Sequence, residues 1–531
     1  MSALFGALRA VWRTGLLHPS PLRALRLWLA VTARHGVSLY SVAAWSAARF
    51  PDSPALVEPG ETTTFGGLVA RADQIADALA GQVGPGEGVG LLARNHAAFV
   101  ATLLACARLG VRTVLLNTSF SAAQTLEVCR AQALALLVVD DEFVPGLREM
   151  GANLPLWPIS EARALSQQTT PDASPRPWRL PRPRPGRLVL LSSGSTGPPK
   201  AVERRVVPAE VLGTVTALLT RLRLRARAPT LLTLPLFHGH GLTTLGLSLT
   251  MGAPLHLFPR GTAEAYWRAL AEEDIEVLVL VPTVLYRLLE TPHPGQAGRL
   301  RTIVCGSAPL RPDLARRALS RFGPVLFNLY GTSETGLISA ATPEHLLAAP
   351  ESVGYVLPGV HVLIRRADGT PAPPSEVGEV VVRGEMVAGG PALAWGTGDL
   401  GSLTPSGRLT LAGRRDDLII VGGENVSPEA LEARLAALPG VRECAVVGIP
   451  SEEYGQSLAV LVVRDGPGVT RDSLEGEFRH LPRMLRPTRV VLVEELPRNA
   501  LGKLVRRELR VDMDGGGEGR GVGTGSPGGG G

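Results

Sequence analysis

The stretch Leu191 to Lys200, reading LSSGSTGPPK, carries the residue types of a phosphate cradle. Backbone N–H groups in a glycine-rich turn can converge on an anion without intruding side chains. Ser192, Ser193, Ser195 and Thr196 add hydroxyl donors around Gly194 and Gly197. Pro198 and Pro199 fix φ beyond the turn, so the ammonium of Lys200 is expected to leave a stiff stem. Lysine stands only at positions 200 and 503, and every other cation among the 54 basic residues is arginine. Surface charge does not require that choice, whereas a compact, mobile point charge aimed at a phosphate or carboxylate does. The spacing argues against a Walker loop, which sets four residues between its first glycine and a Gly-Lys-Ser/Thr run. Here Gly194 and Gly197 are three apart and Ala201 follows Lys200.

A cradle of this kind needs a strand behind it, and Leu188 to Leu191 reads as one. Upstream, Gly88 to Leu92, Val111 to Leu116 and Ala135 to Val139 are short apolar strands separated by helical stretches at Ala98 to Arg108 and Ala122 to Arg130. A Pro/Arg-rich connection, Ser166 to Gly186, leads into the cradle. Downstream, strand-like runs begin near Ala253, Val277, Arg301 and Val325, each step the length of one strand-plus-helix repeat. The expected fold is therefore α/β, a large N-terminal domain with doubly wound, largely parallel sheets. Ligands of such sheets sit beyond the carboxyl ends of the strands. Gly306, Ser307 and Ala308 after one strand, and Tyr330, Gly331 and Thr332 after the next, are then expected to line one crevice with the cradle. Past Arg414 the pattern changes to a smaller α+β unit, with a helix near Pro428 to Leu438 and strands near Arg442 to Gly448, Leu458 to Val463 and Arg489 to Val493.

The composition narrows the function classes. With 531 residues and 45% hydrophobic content the chain can bury more than one core. A net charge of +6 is modest for this length, and no basic block interleaved with aromatics suggests nucleic-acid binding. Cys106, Cys129, Cys305 and Cys444 lie apart in apolar segments, as reduced core thiols of an intracellular protein would. No apolar run reaches the length of a membrane span. Residues 1–36 hold Arg9, Arg13, Arg23, Arg26 and Arg34 among Leu, Trp and Val, with no Asp or Glu. That segment reads as a membrane-surface helix giving peripheral contact, as an organelle transit peptide, or as a leading helix packed on the body. Gly515 to Gly531 is too glycine-rich to form a core and is expected to be disordered.

Taken together, five motifs in order resemble those of the adenylate-forming (AMP-binding) superfamily, in its acyl-CoA synthetase branch, over about Val37 to Leu509. The cradle is similar to the family's first signature and FNLYGTSETG, Phe327 to Gly336, to its second; Gly306 to Pro309 reads GSAP, Thr397 to Gly401 reads TGDLG, Gly413 to Glu432 looks like the hinge signature, and Leu496 to Leu509 like the terminal lysine motif. The resemblance implies ATP, Mg2+ and coenzyme A as cofactors. It divides the chain into an extension (1–36), a large adenylation domain (37–413), a small mobile C-terminal domain (414–512) and a tail (513–531).

By the same resemblance Lys503, Glu334 and Thr196 are catalytic, Lys503 lying between carboxylate and α-phosphate and Glu334 holding Mg2+. Ser192 to Gly197, Lys200, Gly306 to Ala308, Asn328, Tyr330, Gly331 and Thr332 are implied to surround ATP, with Tyr330 against the adenine. Asp399 is implied to accept from the ribose hydroxyls, and Arg414 to donate to them or to the α-phosphate. Asp416 marks the hinge, and Gly422 and Gly423 let the pantetheine of CoA pass close to the backbone. His238, in PLFHGHG, marks the carboxylate end of the acyl pocket, although His238 and His240 also read as structural. Amino-acid activators carry an Asp there to pair with the α-amino group, so an amino-acid substrate is disfavoured. The small apolar residues from Gly241 to Met251 suit a hydrocarbon chain, and a medium- or long-chain fatty acid is the expected substrate. A separate carrier protein as acyl acceptor, or a nucleotide-binding uptake scaffold that has lost catalysis, are the alternatives. One departure from the family's pattern is the short segment between Gly384 and Thr397, where the family has a longer one with a Tyr and a Trp-Phe pair.

Overall fold

In the computed structural model of the chain the residues described are 12–17, 20–167, 186–192, 200–204, 216, 218–292, 297–387, 390–421, 424–426, 428–451, 455–466, 468–478, 481, 486–499, 502–506 and 508–509. Two compact units are resolved: Met1–Thr397 with Gly401–Leu411 and Ala500–Gly502, and Gly398–Leu400 with Ala412–Asn499 and Lys503–Gly531.

In the first unit, largely apolar runs are buried as parallel strands. Gly88–Leu92 is buried at every position, and it pairs in parallel with Arg112–Leu115 on one side and Leu134–Val139 on the other. The helices between them start where the sequence supplies caps. Ser121 and Gln124 exchange side-chain and backbone bonds in a capping box before Ala122–Ala131, and Gly110, at φ +72, closes Ala97–Leu109. Leu156–Pro158 extends this sheet beside Leu134–Val139. On the far side, Leu188–Ser192 is followed by Lys200–Arg204, paired antiparallel with it from Leu188↔Arg204 to Ser192↔Lys200. Lys200 thus opens a strand, where the sequence suggested the end of a stiff loop. The Ser166 to Gly186 connection falls largely, and the glycine-rich tail wholly, outside the described residues.

Among the described residues a second sheet has thirteen strands. Its middle runs Leu326–Thr332, Thr302–Gly306, Val277–Leu280, Thr230–Leu232, Leu255–Leu257, Pro54–Glu58, and every neighbouring pair in that series is parallel. The expected strand starts are met within about two residues in each case. The antiparallel strands between Gly336 and Arg414 lie beyond Leu326–Thr332 and were not anticipated. Val360–Arg365 alternates exposed and covered residues, as a one-face-solvated antiparallel strand does, so it lacks the continuous apolar signature of the parallel ones. Cys106, Cys129 and Cys305 are buried and Cys444 is partly covered, all as free thiols.

The N-terminal segment forms a helix, Pro21–His35, with Pro21 in the first turn and Arg34 and His35 in the last. Its inner side packs on the body: Ala24 is buried, Trp28 meets Trp45 edge-on at 5.6 Å, and Trp45 Nε1 donates to the Ala24 carbonyl at 2.8 Å. Among the described residues no helix is long and apolar enough to cross a membrane.

The second unit is a small sheet in the order Glu424–Val426, Ile419–Val421, Gly455–Arg464, Val441–Ser451, with Arg489–Val493 parallel to Gly455–Arg464. The helix Pro428–Ala436 precedes these longer strands. Val446, Val460 and Val462 are fully buried between helix and sheet, with Leu435 almost so.

Candidate active site

The strands Thr302–Gly306 and Leu326–Thr332 run parallel with Gly306 opposite Leu329, so their carboxyl ends are neighbours. Gly306 is glycine because space requires it: a Cβ there would stand 2.9 Å from the Leu329 carbonyl oxygen and 3.2 Å from Cε1 of His240. Ser307 follows at φ +68, a left-handed backbone rarely adopted by a residue with a side chain, and its Oγ lies 3.1 Å from His240 Nδ1. His240 sits in the first turn of the helix Gly239–Met251, whose N-cap residue is His238. Burial pushes the His240 imidazole down to about 4, so it is neutral near pH 7. Sequence reasoning singled out His238, and the structure adds His240 as the histidine that touches the Gly306–Ala308 turn. The signal was present in the repeated His of PLFHGHG. His238 itself stacks at a tilt on Phe237, with ring centroids 4.5 Å apart.

Asn328, Tyr330, Gly331 and Thr332 lie inside the strand Leu326–Thr332, where the sequence reading set the last three after it. The strand runs on because these residues pair back with Gly336–Ala341 as a hairpin, shifted in register between Tyr330 and Gly331. Asn328 is buried and Tyr330 nearly so. A Cβ on Gly331 would run into the Gly336 carbonyl oxygen, and one on Gly336, at φ +72, would press 3.0 Å from Met386. Both glycines of GTSETG are thus fixed by close approach. Inside the turn Thr332 Oγ1 accepts from the Thr335 backbone N–H at 3.1 Å, and the two threonine hydroxyls are 3.1 Å apart. Glu334 rides on this braced turn, partly exposed. Among the described residues no three His, Cys, Asp or Glu side chains gather as a self-sufficient metal cage. Mg2+ keeps waters and phosphate oxygens in its shell and takes one or two carboxylates, so a single acid on a rigid turn suits it.

In the second unit, Asp399 and Arg414 face each other with Oδ1 and Nε 3.5 Å apart, the carboxylate largely covered and the guanidinium about half exposed. Gly398, at φ +76, leaves that guanidinium room, since a Cβ there would stand 3.1 Å from it. Asp416 falls in the short helical turn Arg415–Asp417.

Lys503 is exposed on a tight loop: Asn499 N–H donates to the Lys503 carbonyl at 2.9 Å, and Asn499 Oδ1 accepts from the Lys503 N–H at 3.0 Å. Three residues on, Arg506 donates to both oxygens of Glu432 at 2.7 and 2.9 Å and to the Val446 carbonyl at 2.7 Å. Asp417 and Glu429 lie 3.6 and 3.8 Å from the same guanidinium. The sequence offered no local signal for this tether, which joins the lysine motif to the hinge signature. Ser193, Gly194, Ser195, Thr196, Gly197, Gly422 and Gly423 lie outside the described residues.

The profile of the AMP-binding enzyme family matches residues 43–390, and that of the AMP-binding enzyme C-terminal domain matches residues 430–503. A sulfoacetate–CoA ligase of Cupriavidus necator is 30% identical over 89% of this chain and 97% of its own. An indoleacetate–CoA ligase of Aromatoleum aromaticum is 31% identical over 86% and 96%. Among solved structures, the o-succinylbenzoate CoA synthetase of Bacillus subtilis in complex with its acyl-adenylate intermediate superimposes with a TM-score of 0.76 at 27% identity, over 88% of this chain and 97% of that one. The same enzyme with ATP and magnesium ion gives 0.75 at 28% identity. Glycine-limited strand ends, a braced acidic turn and a tethered lysine loop therefore belong to a chain that is a member of the AMP-binding enzyme family, the adenylate-forming superfamily.

Proposed function

We propose that the enzyme is an AMP-forming acyl-CoA ligase whose acid is a medium- or long-chain fatty acid. Relatives named as CoA ligases along nearly the whole chain support the ligase reading. The observation that carries the choice of acid is the helix Gly239–Met251: after His240, held neutral by burial, it offers only Gly, Leu, Ser, Thr and Met. A second charge on the substrate, such as the sulfonate of sulfoacetate or the further carboxylate of 2-succinylbenzoate, would find no partner on it, and burying an unpaired charge is costly.

The reaction this reading assigns begins with the fatty carboxylate attacking the α-phosphate of ATP. Pyrophosphate leaves with the electron pair of the broken P–O bond, and the thiol of CoA then displaces AMP from the acyl carbon. Two anions must meet in the first step, and Lys503 supplies the mobile cation that offsets their repulsion. Glu334 would hold Mg2+, which draws charge from the leaving phosphates. Asp399 accepts from the ribose hydroxyls, Arg414 donates beside it, and Tyr330 lies along the adenine. Asp416 serves as the hinge by which the small domain exchanges Lys503 for a face whose Gly422 and Gly423 meet the pantetheine of CoA. We place the reaction in the cytoplasm, in keeping with four free thiols.

Carboxylate-dependent ATP–pyrophosphate exchange with acetate, octanoate, palmitate, benzoate and amino acids tests this, with CoA added in a second series. Exchange strongest with octanoate or palmitate, yielding acyl-CoA and AMP, is expected. Exchange confined to benzoate would overturn the fatty-acid assignment, and adenylate without thioester would overturn CoA as acceptor.

A further inference from the structure

The helix Pro21–His35 has two apolar faces, and the protein body uses only one. Ala24, Leu27 and Trp28 join Leu16, Trp45, Leu219, Met251 and Ala253 in one cluster. On the opposite side Leu22, Leu25 and Leu29 recur at helical spacing with 71%, 52% and 57% of their surface exposed, and Trp12, in the preceding turn, is 60% exposed. Lone exposed leucines are ordinary, but three in register on one helix face form a patch. Inward packing fixes the helix, so this patch is held outward and cannot fold back on the body.

The charge carried by the helix and by the turn before it is of one sign. Arg13, Arg23, Arg26 and Arg34 are exposed, and the chain has no Asp or Glu before Asp52. The segment Arg221 to Arg227, reading RLRLRAR, comes alongside: the Ala226 N–H donates to the Thr14 carbonyl at 2.8 Å, and Arg225 and Arg227 are exposed. Near the helix's C-terminal end, Asp73 is taken up by the Tyr40 hydroxyl at 2.7 Å and by Arg108. A protein partner for an apolar patch needs no uniform positive rim. An anionic lipid surface does, because acyl chains accept the leucines while headgroups meet the guanidiniums at the edge.

We propose that the outer face of Pro21–His35 docks the enzyme on an anionic membrane surface. The helix, about 22 Å long, lies flat with its leucines below the headgroups. This contact is independent of the acid the enzyme activates.

Cosedimentation of the full chain with vesicles of phosphatidylcholine, with and without phosphatidylglycerol, tests the proposal at low and high salt. The wild-type protein is expected to bind the phosphatidylglycerol vesicles and to be released by salt. Replacing Leu22, Leu25 and Leu29 together by Ser should weaken binding at least about a hundredfold, from the area of three leucines kept out of lipid. Replacing Arg23, Arg26 and Arg34 by Gln should weaken it about fivefold per arginine, on anionic vesicles only. All six side chains are exposed or partly exposed, so melting temperature and octanoate-dependent exchange in solution should stay at wild-type values. The proposal is overturned if the leucine variant binds as the wild type does, or if the wild type does not sediment with anionic vesicles at low salt. It is equally overturned if the patch proves to join two copies of the chain, seen as a dimer in vesicle-free sedimentation velocity that the leucine variant loses.

Discussion

The residues assigned to nucleotide and acyl binding in the first unit and those in the second are held by different forces. Around Gly306, Tyr330 and Glu334 the placement is steric: strand register, a hairpin, and glycines whose missing Cβ atoms let backbone pass backbone. Around Lys503 it is electrostatic: backbone and side-chain bonds between Asn499 and Lys503, then an arginine among the carboxylates of Glu432, Glu429 and Asp417. Close packing has one solution and tolerates little displacement. An ion network depends on pairing rather than on shape, and because Arg506 and Glu432 are both largely covered, removing one partner would strand the other's charge. The first arrangement is therefore set by shape and the second by the pairing of charges within the second unit.

That contrast can be tested at unequal strengths. Lys503→Ala should lower fatty-acid-dependent ATP–pyrophosphate exchange by about 10²- to 10³-fold, the usual cost of removing one preorganised transition-state donor, while the melting temperature stays put. A loss below about tenfold would move the transition-state cation elsewhere. Gly331→Ala should do the reverse, destabilising the first unit by about 1–3 kcal/mol in urea melts because its Cβ meets the Gly336 carbonyl. An unaffected midpoint would mean that the hairpin yields more easily than its packing suggests. Arg506→Ala should reduce exchange about tenfold through a lysine loop that is no longer tethered. Arg506→Lys is expected to recover only part of that, since an ammonium cannot span both Glu432 oxygens. Equal activity of both variants and the wild type would remove Arg506 as a positioning residue.

The smallest effect concerns His240. Its folded pKa, about 4, is below the ordinary imidazole value, so the unfolded chain binds the proton first on acidification. The stability it contributes is whole above about pH 6.5 and is lost as pH falls toward 4. His240→Gln should therefore flatten the decline in stability over that window relative to wild type. Parallel curves for the two proteins would show His240 to be accessible to protons in the fold.

How much of this the residues announced depends on the kind of force involved. Runs such as Val277–Leu280 and Thr302–Gly306 were legible because strands buried on both faces are written as unbroken apolar segments. The turn at Gly306 and Ser307 was legible because GSAP follows directly on such a strand. The antiparallel strands from Gly336 to Arg414 were not, since half-solvated strands mix polar and apolar residues as loops do. Nor was the partnership of Arg506 with Glu432, 74 residues apart in a chain where arginine is the common cation. The hairpin that draws Tyr330 into a strand was hidden for a related reason: TSETG reads as a loop from its composition, and only the pairing of Gly331 with Leu337 shows how short that loop is.

The scarcity of lysine, joined to the exposure of Lys503, makes the protein unusually easy to interrogate by covalent labelling. An amine-directed reagent meets only two lysine ε-amines in the whole sequence, and the one at 503 stands on an open loop. Its rate of acylation, followed peptide by peptide in a mass spectrometer with and without ATP and acid, then reads directly whether either ligand shields that amine.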